Sequence, residues 1–314
     1  MNRVWVLGDA VVDLLPDGEQ HYLRCPGGAP ANVSVAIARL GGKSAFIGRV
    51  GNDPLGRFLK TTLQQEQVNT DFMHLDDEHR TSTVIVDLDE TGERTFTFMV
   101  NPSADQFLQQ SDLPHFSAGE WLHFCSIALI NQPSRHTTQQ AAQQIKQAGG
   151  FVSFDPNLRP SLWSSQQQMI DEVNKMIAIA DVIKFSEEEI CLLSGEPDLD
   201  LAIRKTRQQY PNKLILVTLG AAGAYYFYQA IEGKVAGNKV KVVDTTGAGD
   251  AFVGGMLQAL ARHQHWQQQN IFVQAIQQAN LCGGLATTAK GAMSVANKNT
   301  TSSSTITLFR SEAR

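Results

Sequence analysis

From Glu120 to about residue 223 the chain alternates apolar runs with helix-patterned stretches, and this rhythm constrains the fold more than any other feature. Trp121-Leu122-His123-Phe124-Cys125 precedes a helical pattern near 133–148. Phe151-Val152-Ser153-Phe154-Asp155 precedes the loop Pro156-Asn157-Leu158-Arg159 and a helix near 166–180. Val182-Ile183-Lys184-Phe185 precedes Ser186-Glu187-Glu188-Glu189 and another helix, and Leu214 to Leu219 precedes Gly220-Ala221-Ala222-Gly223. Such alternation predicts an α/β fold in three layers, a mostly parallel central sheet with helices on both faces. Ligands then sit at the carboxyl ends of the strands, where all the loops just named lie.

The N-terminal third reads differently. Val4-Trp5-Val6-Leu7-Gly8 is a buried first strand, and Asp9-Ala10-Val11-Val12-Asp13 is predicted to continue it, with Asp9 and Asp13 on one face. The two carboxylates are either edge polarity or acceptors for sugar hydroxyls. Pro26-Gly27-Gly28-Ala29-Pro30-Ala31-Asn32 opens a helix carrying Val33, Ala36, Ile37 and Leu40, with Asn32 placed to cap it. Ala45 to Gly51 reads as a strand, and Pro54 opens a helix. Over 80–102 two β-patterned runs flank the turn Glu90-Thr91-Gly92-Glu93 with no helix between them. They predict a small antiparallel sheet, joined by the segment 14–25, that stands off the main body as a lid. A chain of 314 residues fits one large domain of this kind, with the Ser/Thr-rich stretch 297–314 as a peripheral tail.

The stretch Asp244-Thr245-Thr246-Gly247-Ala248-Gly249-Asp250 carries the strongest chemical signal. The run Lys239 to Val243 is predicted to lead into it as a strand. Val253, Met256, Leu257 and Leu260 follow at helical spacing. A glycine turn entering a helix leaves backbone N–H groups unpaired, and the helix dipole adds to their attraction for an anion such as phosphate. Asp250 falls in the first helical turn. It either complements the dipole or takes a proton from a hydroxyl that attacks phosphorus. No Gly-Lys-Ser/Thr follows, so this is not a Walker A loop, and no complete G-x-G-x-x-G supports an oxidoreductase.

A net charge of −5 supplies no basic excess, which disfavours nucleic acid or an anionic membrane as partner. Four cysteines (Cys25, Cys125, Cys191, Cys282) lie far apart, without C-x-x-C spacing. They predict a reduced, cytoplasmic setting and no cysteine-based metal cluster. The N-terminus runs directly into a strand pattern without a signal peptide, and no apolar run reaches membrane-spanning length.

The string at 244–250 resembles the C-terminal signature of the ribokinase-like (PfkB) carbohydrate kinases. Gly-Gly-Ala-Pro-Ala-Asn at 27–32 and the lid hairpin extend the resemblance to about residue 296. Within the family, that N-terminal string and Asp-Pro-Asn-Leu-Arg at 155–159 are most similar to fructokinases. The related aminoimidazole riboside kinases share several strings, but typically have Ser where this chain has Pro30. The resemblance implies an ATP-dependent kinase acting on the 6-hydroxyl of D-fructose, with a riboside, ribose or nucleoside kinase as the alternative. A sugar sensor without catalysis on the same fold is a further alternative, disfavoured by the intact Asp250 and glycines.

By the same resemblance, Asp250 is the base, Gly247, Ala248 and Gly249 form the anion hole, and Arg159 meets the transferring phosphoryl group. Asp9, Asp13, Gly28 and Asn32 match sugar-binding positions. Glu189 matches an acid near magnesium, although Ser186 replaces the family's usual Asn. Thr218, Gly220, Gly223 and Asn280 match nucleotide positions. Asp244, Thr246, Thr287, Ala289, Gly291 and Ser294 match a potassium site. The implied partners are a sugar, ATP, Mg²⁺ and K⁺, with a homodimer allowed through the exposed edge of the lid sheet.

Overall fold

The computed structural model describes residues 1–88, 94–289 and 291–293. The elements in chain order are β1 (Arg3–Leu7), β2 (Val11–Asp17), β3 (His21–Gly27), α1 (Ala29–Arg39), β4 (Lys43–Gly51), α2 (Pro54–Gln65), β5 (Asn69–Asp76), β6 (Thr83–Leu88) and β7 (Arg94–Phe98). They continue with β8 (Trp121–Cys125), α3 (Ser134–Gln147), β9 (Phe151–Asp155), α4 (Gln166–Ile179), β10 (Val182–Ser186), α5 (Glu187–Ser194), α6 (Leu199–Gln209) and β11 (Leu214–Thr218). Last come β12 (Ala224–Tyr228), β13 (Ile231–Val235), α7 (Ala248–Leu260) and α8 (Gln269–Ala286).

A nine-stranded sheet runs β13-β12-β11-β10-β9-β8-β1-β4-β5. Its seven strands from β11 to β5 are parallel, and β12 and β13 add an antiparallel edge. Side-chain alternation splits the core in two. Trp5 and Leu7 face α3, α4, α5 and α6 together with Phe124, Phe154 and Phe185. Val4 and Val6 face α1, α7 and α8 with Trp121, Leu216 and Phe252. A third cluster seats α2 on β4 and β5 through Leu59, Leu63, Phe46 and Met73. The expected three-layer arrangement is the one observed.

Three local expectations are corrected. Asp9 to Asp13 does not continue β1. The chain leaves the main sheet at Gly8 (φ 147°) and enters a second sheet, so Asp9 lies in the connection and Asp13 on β2. That second sheet has the order β3-β2-β6-β7 and is not wholly antiparallel, because its central pair β2–β6 runs parallel while both outer pairs are antiparallel. Its elements also reach beyond the expected bounds at Val11 and Gly27, and the expected turn 90–93 lies outside the described residues. Finally, Lys239 to Val243 is no strand. It pairs with no neighbouring strand, and Val242 and Val243 are 58% and 53% exposed, so its alternation buries no face. The tail 297–314 lies outside the described residues.

Candidate active site

Two helix N-termini converge at the carboxyl ends of the parallel strands. Both begin at a left-handed glycine: Gly28 (φ 96°) before α1 and Gly247 (φ 75°) before α7. A Cβ on Gly28 would stand 2.7 Å from the Asp9 carbonyl oxygen, and one on Gly247 would stand 2.4 Å from that of Ala292. Only glycine combines this conformation with such close backbone approach. Asn32 does not cap α1, which begins without a side-chain cap. It lies buried in the first helical turns, and its Nδ2 donates to Oδ2 of Asp250 at 2.7 Å.

At the start of α7 the Ala248 amide turns back on the Thr245 carbonyl at 3.2 Å. Among the described residues, the amides of Gly247, Gly249 and Asp250 donate to no backbone carbonyl. These donors face a cavity of about 240 Å³ lined by Asp9, Asp13, Gly28, Asn32, Arg159, Gly247 and Asp250. The small sheet roofs it with Val11, Val84, Phe96 and Phe98. The predicted anion-hole, base and sugar residues, 9 to 250 in the chain, are thus brought together, with Ala248 one position aside.

Charge in this cavity is set by burial and by two cations. Burial raises the Asp250 carboxyl above its ordinary value, while the Asn32 hydrogen bond and the charges of Lys184 and Arg159 oppose that rise. Arg159 is exposed at the cavity wall. Lys184 is the residue that sequence reasoning missed. It is 8% exposed, and its Nζ lies 3.1 Å from Oδ2 of Asp155. Burial works against its charge, but the carboxylates of Asp155, Glu189 and Asp250 outweigh that and hold the ammonium protonated. A Cβ on Gly249 would sit 3.6 Å from this Nζ, so the ammonium is close beside the anion-binding turn. The one available signal was a lysine inside an otherwise apolar parallel strand, where an unpaired charge is costly. Behind it, the buried ring of His123 shares a hydrogen bond with Ser153 (3.1 Å). Burial and the Lys184 charge push its pKa down to about 3.

A second cavity of about 550 Å³ lies on the other side of the glycine turn. It is lined by Thr218, Gly220, Gly223, Asn280 and Thr287, with Val240, Val242 and Phe252 as apolar surface. Asn280 is oriented by donating to the Val235 and Ala236 carbonyls. Gly249 lines both cavities.

The remaining predicted residues divide. Glu189 lines neither cavity. Its Oε1 accepts from the Leu158 amide and its Oε2 from the Ser186 amide, both at 2.8 Å, so it fastens the Asn157–Arg159 loop to the start of α5. Asp244 ties two loops together, accepting from the Thr246 amide and hydroxyl through Oδ1 and from the Gly291 amide through Oδ2. The Thr287 carbonyl accepts from the amides of Val243 and Asp244. Ala289 is exposed, and Ser294 lies outside the described residues. One carboxylate among neutral oxygens suits a monovalent hard cation. Among the described residues no three His, Cys, Asp or Glu side chains converge as a metal cluster.

Known proteins resemble this chain over most of its length. The family described as "pfkB family carbohydrate kinase" matches residues 1–299. A fructokinase of Klebsiella pneumoniae is 56% identical over 294 residues, covering 93% of this chain and 95% of that protein. An aminoimidazole riboside kinase of Salmonella typhimurium is 43% identical over 293 residues, covering 93% of this chain and 91% of its own. A crystal structure of a double-mutant fructokinase from Vibrio cholerae O395, in a form with fructose, ADP and potassium ion bound, superposes with a TM-score of 0.90. It is 58% identical, over 94% of this chain and 95% of that one.

Proposed function

The chain belongs to the pfkB family of carbohydrate kinases, and on that premise we propose that it transfers the γ-phosphate of ATP to the 6-hydroxyl of D-fructose, giving fructose 6-phosphate. The observation that carries this reading is the meeting of two cavities at Gly249, one roofed by the small sheet and holding Asp250, the other larger and more apolar. A sugar in the first and a nucleotide in the second bring hydroxyl and terminal phosphate to the same turn.

Phosphoryl transfer through a loose transition state needs alignment and charge neutralisation more than covalent chemistry. Asp250 accepts the proton of the attacking hydroxyl, and Asn32 holds the carboxylate in place. The amides of Gly247 and Gly249, the guanidinium of Arg159 and the ammonium of Lys184 meet the charge of the transferring group. Asp9, Asp13 and Gly28 surround the sugar, and Thr218, Gly220, Gly223 and Asn280 the nucleotide. Magnesium, when bound, neutralises phosphate charge. Glu189, which lines neither cavity and accepts from two backbone amides, would act on that ion only at a distance, and the nucleotide and water would hold it. Potassium fits the loops joined by Asp244.

The small sheet acts as a lid that excludes water, the competing acceptor. Its open edges carry exposed Tyr22 and Leu23 (each 55%) on β3 and Met99 (56%) just after β7, a surface suited to a second copy of the chain. Among the described residues no two cysteines are joined in a disulfide, which suits a reducing cytoplasm. Chain 1–314 then works as a single kinase domain.

A coupled ADP-release assay offering fructose, ribose, adenosine and aminoimidazole riboside tests the proposal. Fructose is expected to give the highest kcat/KM. Preference for a riboside would replace fructose as the acceptor, and absence of ADP formation with every sugar would remove the kinase reading.

A further inference from the structure

A chamber of about 240 Å³ opens beside the sugar cavity and shares Asp9, Val11, Phe98 and Ile127 with it. Its own wall includes Asp105, Asn101, Asn131 and Ser161. Five carboxylates line the joined space, and of these Asp13 and Asp155 belong to the sugar cavity alone. Asp250 lines only the sugar cavity, Asp9 lines both, and Asp105 lines only the chamber. We propose that Asp105, together with Asp9, is a specificity-determining binding residue: the chamber takes the end of the acceptor farthest from the reacting hydroxyl, and the two carboxylates accept hydrogen bonds from hydroxyls there. The proposal rests on the sugar-kinase reading above and specifies the acceptor it favours.

The case stands on unmet acceptors. Oδ1 of Asp9, a residue 5% exposed, and Oδ1 of Asp105 are both buried and accept no hydrogen bond. The amide of the next residue, Gln106, is already used. The Gln106 amide donates to Asn101 and Ser103, and its oxygen accepts from Asn131 at 2.5 Å. A buried acceptor without a donor carries a free-energy cost, greater when charged, so a ligand that brings donors relieves a standing penalty. The wall is also preformed. Asp105 sits in a tight turn, Ala104–Phe107, anchored by the fully buried Ala104, whose amide donates to the Arg80 carbonyl at 2.8 Å. Burial and the adjacent Asp105 push the Asp9 carboxyl up to about 7, against the charge of Arg159, as expected for two carboxylates facing one space. A ketose carries hydroxyls at both ends. With its 6-hydroxyl at Asp250, its far end holds the hydroxyls on carbons 1 and 2. An acceptor ending in an apolar ring leaves both oxygens unmet, and a site built to bind hydroxyls discriminates strongly against analogues that lack them.

The test compares wild type, Asp105→Asn and Asp105→Ala with fructose, 1-deoxyfructose and 2,5-anhydromannitol as acceptors, recording KM and kcat for each sugar, KM for ATP and the unfolding midpoint. Asp105→Ala is expected to raise the fructose KM roughly 10–100-fold, the loss of a hydrogen bond to a charged group. The fall in kcat at saturating sugar should be smaller, and the ATP KM should stay as in wild type. The same substitution should cost much less with whichever analogue lacks the bonded hydroxyl. An unchanged fructose KM, or an equal loss on all three sugars and ATP, overturns the assignment. If Asp105→Ala does not fold, the near-isosteric Asp105→Asn carries the same readings. Wild type that turns over fructose while the variants are indifferent sinks this inference alone. Wild type inert on fructose sinks the function proposed above, and this inference with it.

Discussion

The side-chain amide of Asn32 reaches across 218 residues of sequence to donate to Oδ2 of Asp250 at 2.7 Å, joining the first turns of two helices that each start at a left-handed glycine. Among the described residues it is the one side-chain bond that holds the candidate base toward the sugar cavity. Asp250→Asn keeps the shape and removes the basicity. Turnover should fall by about 10²–10⁴, while sugar binding, read by calorimetry or by a sugar-dependent shift in Tm, should remain measurable. Turnover near wild type would withdraw the assignment of the base.

Asn32→Ala should move the acid limb of the kcat/KM profile to higher pH. A base works deprotonated, so activity falls as pH drops through its pKa. Burial already raises the Asp250 pKa, and the Asn32 hydrogen bond favours the charged form. Removing that bond leaves the burial effect less opposed. An acid limb that stays put or moves down in Asn32→Ala would contradict this.

Gly247→Ala should damage both stability and activity. A residue with a side chain at φ 75° costs about 1–3 kcal/mol in strain, and the new methyl would meet the Ala292 carbonyl oxygen at 2.4 Å. Chemical denaturation should show the loss, and the displaced turn should raise the KM for ATP. A Gly247→Ala enzyme as stable as wild type would mean that the turn relaxes freely.

Lys184 and Asp155 form a buried pair whose side chains are 10% and 3% exposed. Lys184→Met strands the carboxylate and should destabilise by about 3–5 kcal/mol. Adding Asp155→Leu should recover most of that, since an apolar pair avoids the desolvation penalty. Activity should not return, because the cation beside Gly249 is gone. Recovery of both would reduce Lys184 to a purely structural role.

His123 predicts a pH dependence of stability. Its folded pKa of about 3 lies below the ordinary 6.5, so the unfolded chain takes up a proton that the folded chain resists. The stability from this group is complete above pH 6.5 and lost as pH falls from there towards 3, at up to about 1.4 kcal/mol per pH unit. Asp9, raised to about 7, works in the opposite sense, losing stability as pH rises from about 4 to 7. The informative quantity is therefore the difference between wild type and His123→Gln. The variant should show a shallower loss on acidification, and identical slopes would mean that His123 titrates alike in the folded and unfolded chain.

Strand–helix alternation from Glu120 onward determined the parallel sheet, because a helix between two strands can only return the chain to the same end. The glycines at 28 and 247 marked the two helix starts, since only they tolerate the conformation there, and Asp250 was legible from its place after the second. Partnership across the fold was not legible. No local pattern says that Asn32 turns to Asp250 rather than to its own helix, that Glu189 is spent on two backbone amides, or that the run at 239–243 finds no strand to pair with. In the sequence Lys184 only interrupts the apolar run of β10; the fold brings Asp155, 29 residues earlier, alongside it. Local sequence decides which conformations each segment can adopt. Which groups then neutralise, orient or leave one another unsatisfied depends on packing between segments far apart in the chain, where burial multiplies the weight of each charge and hydrogen bond.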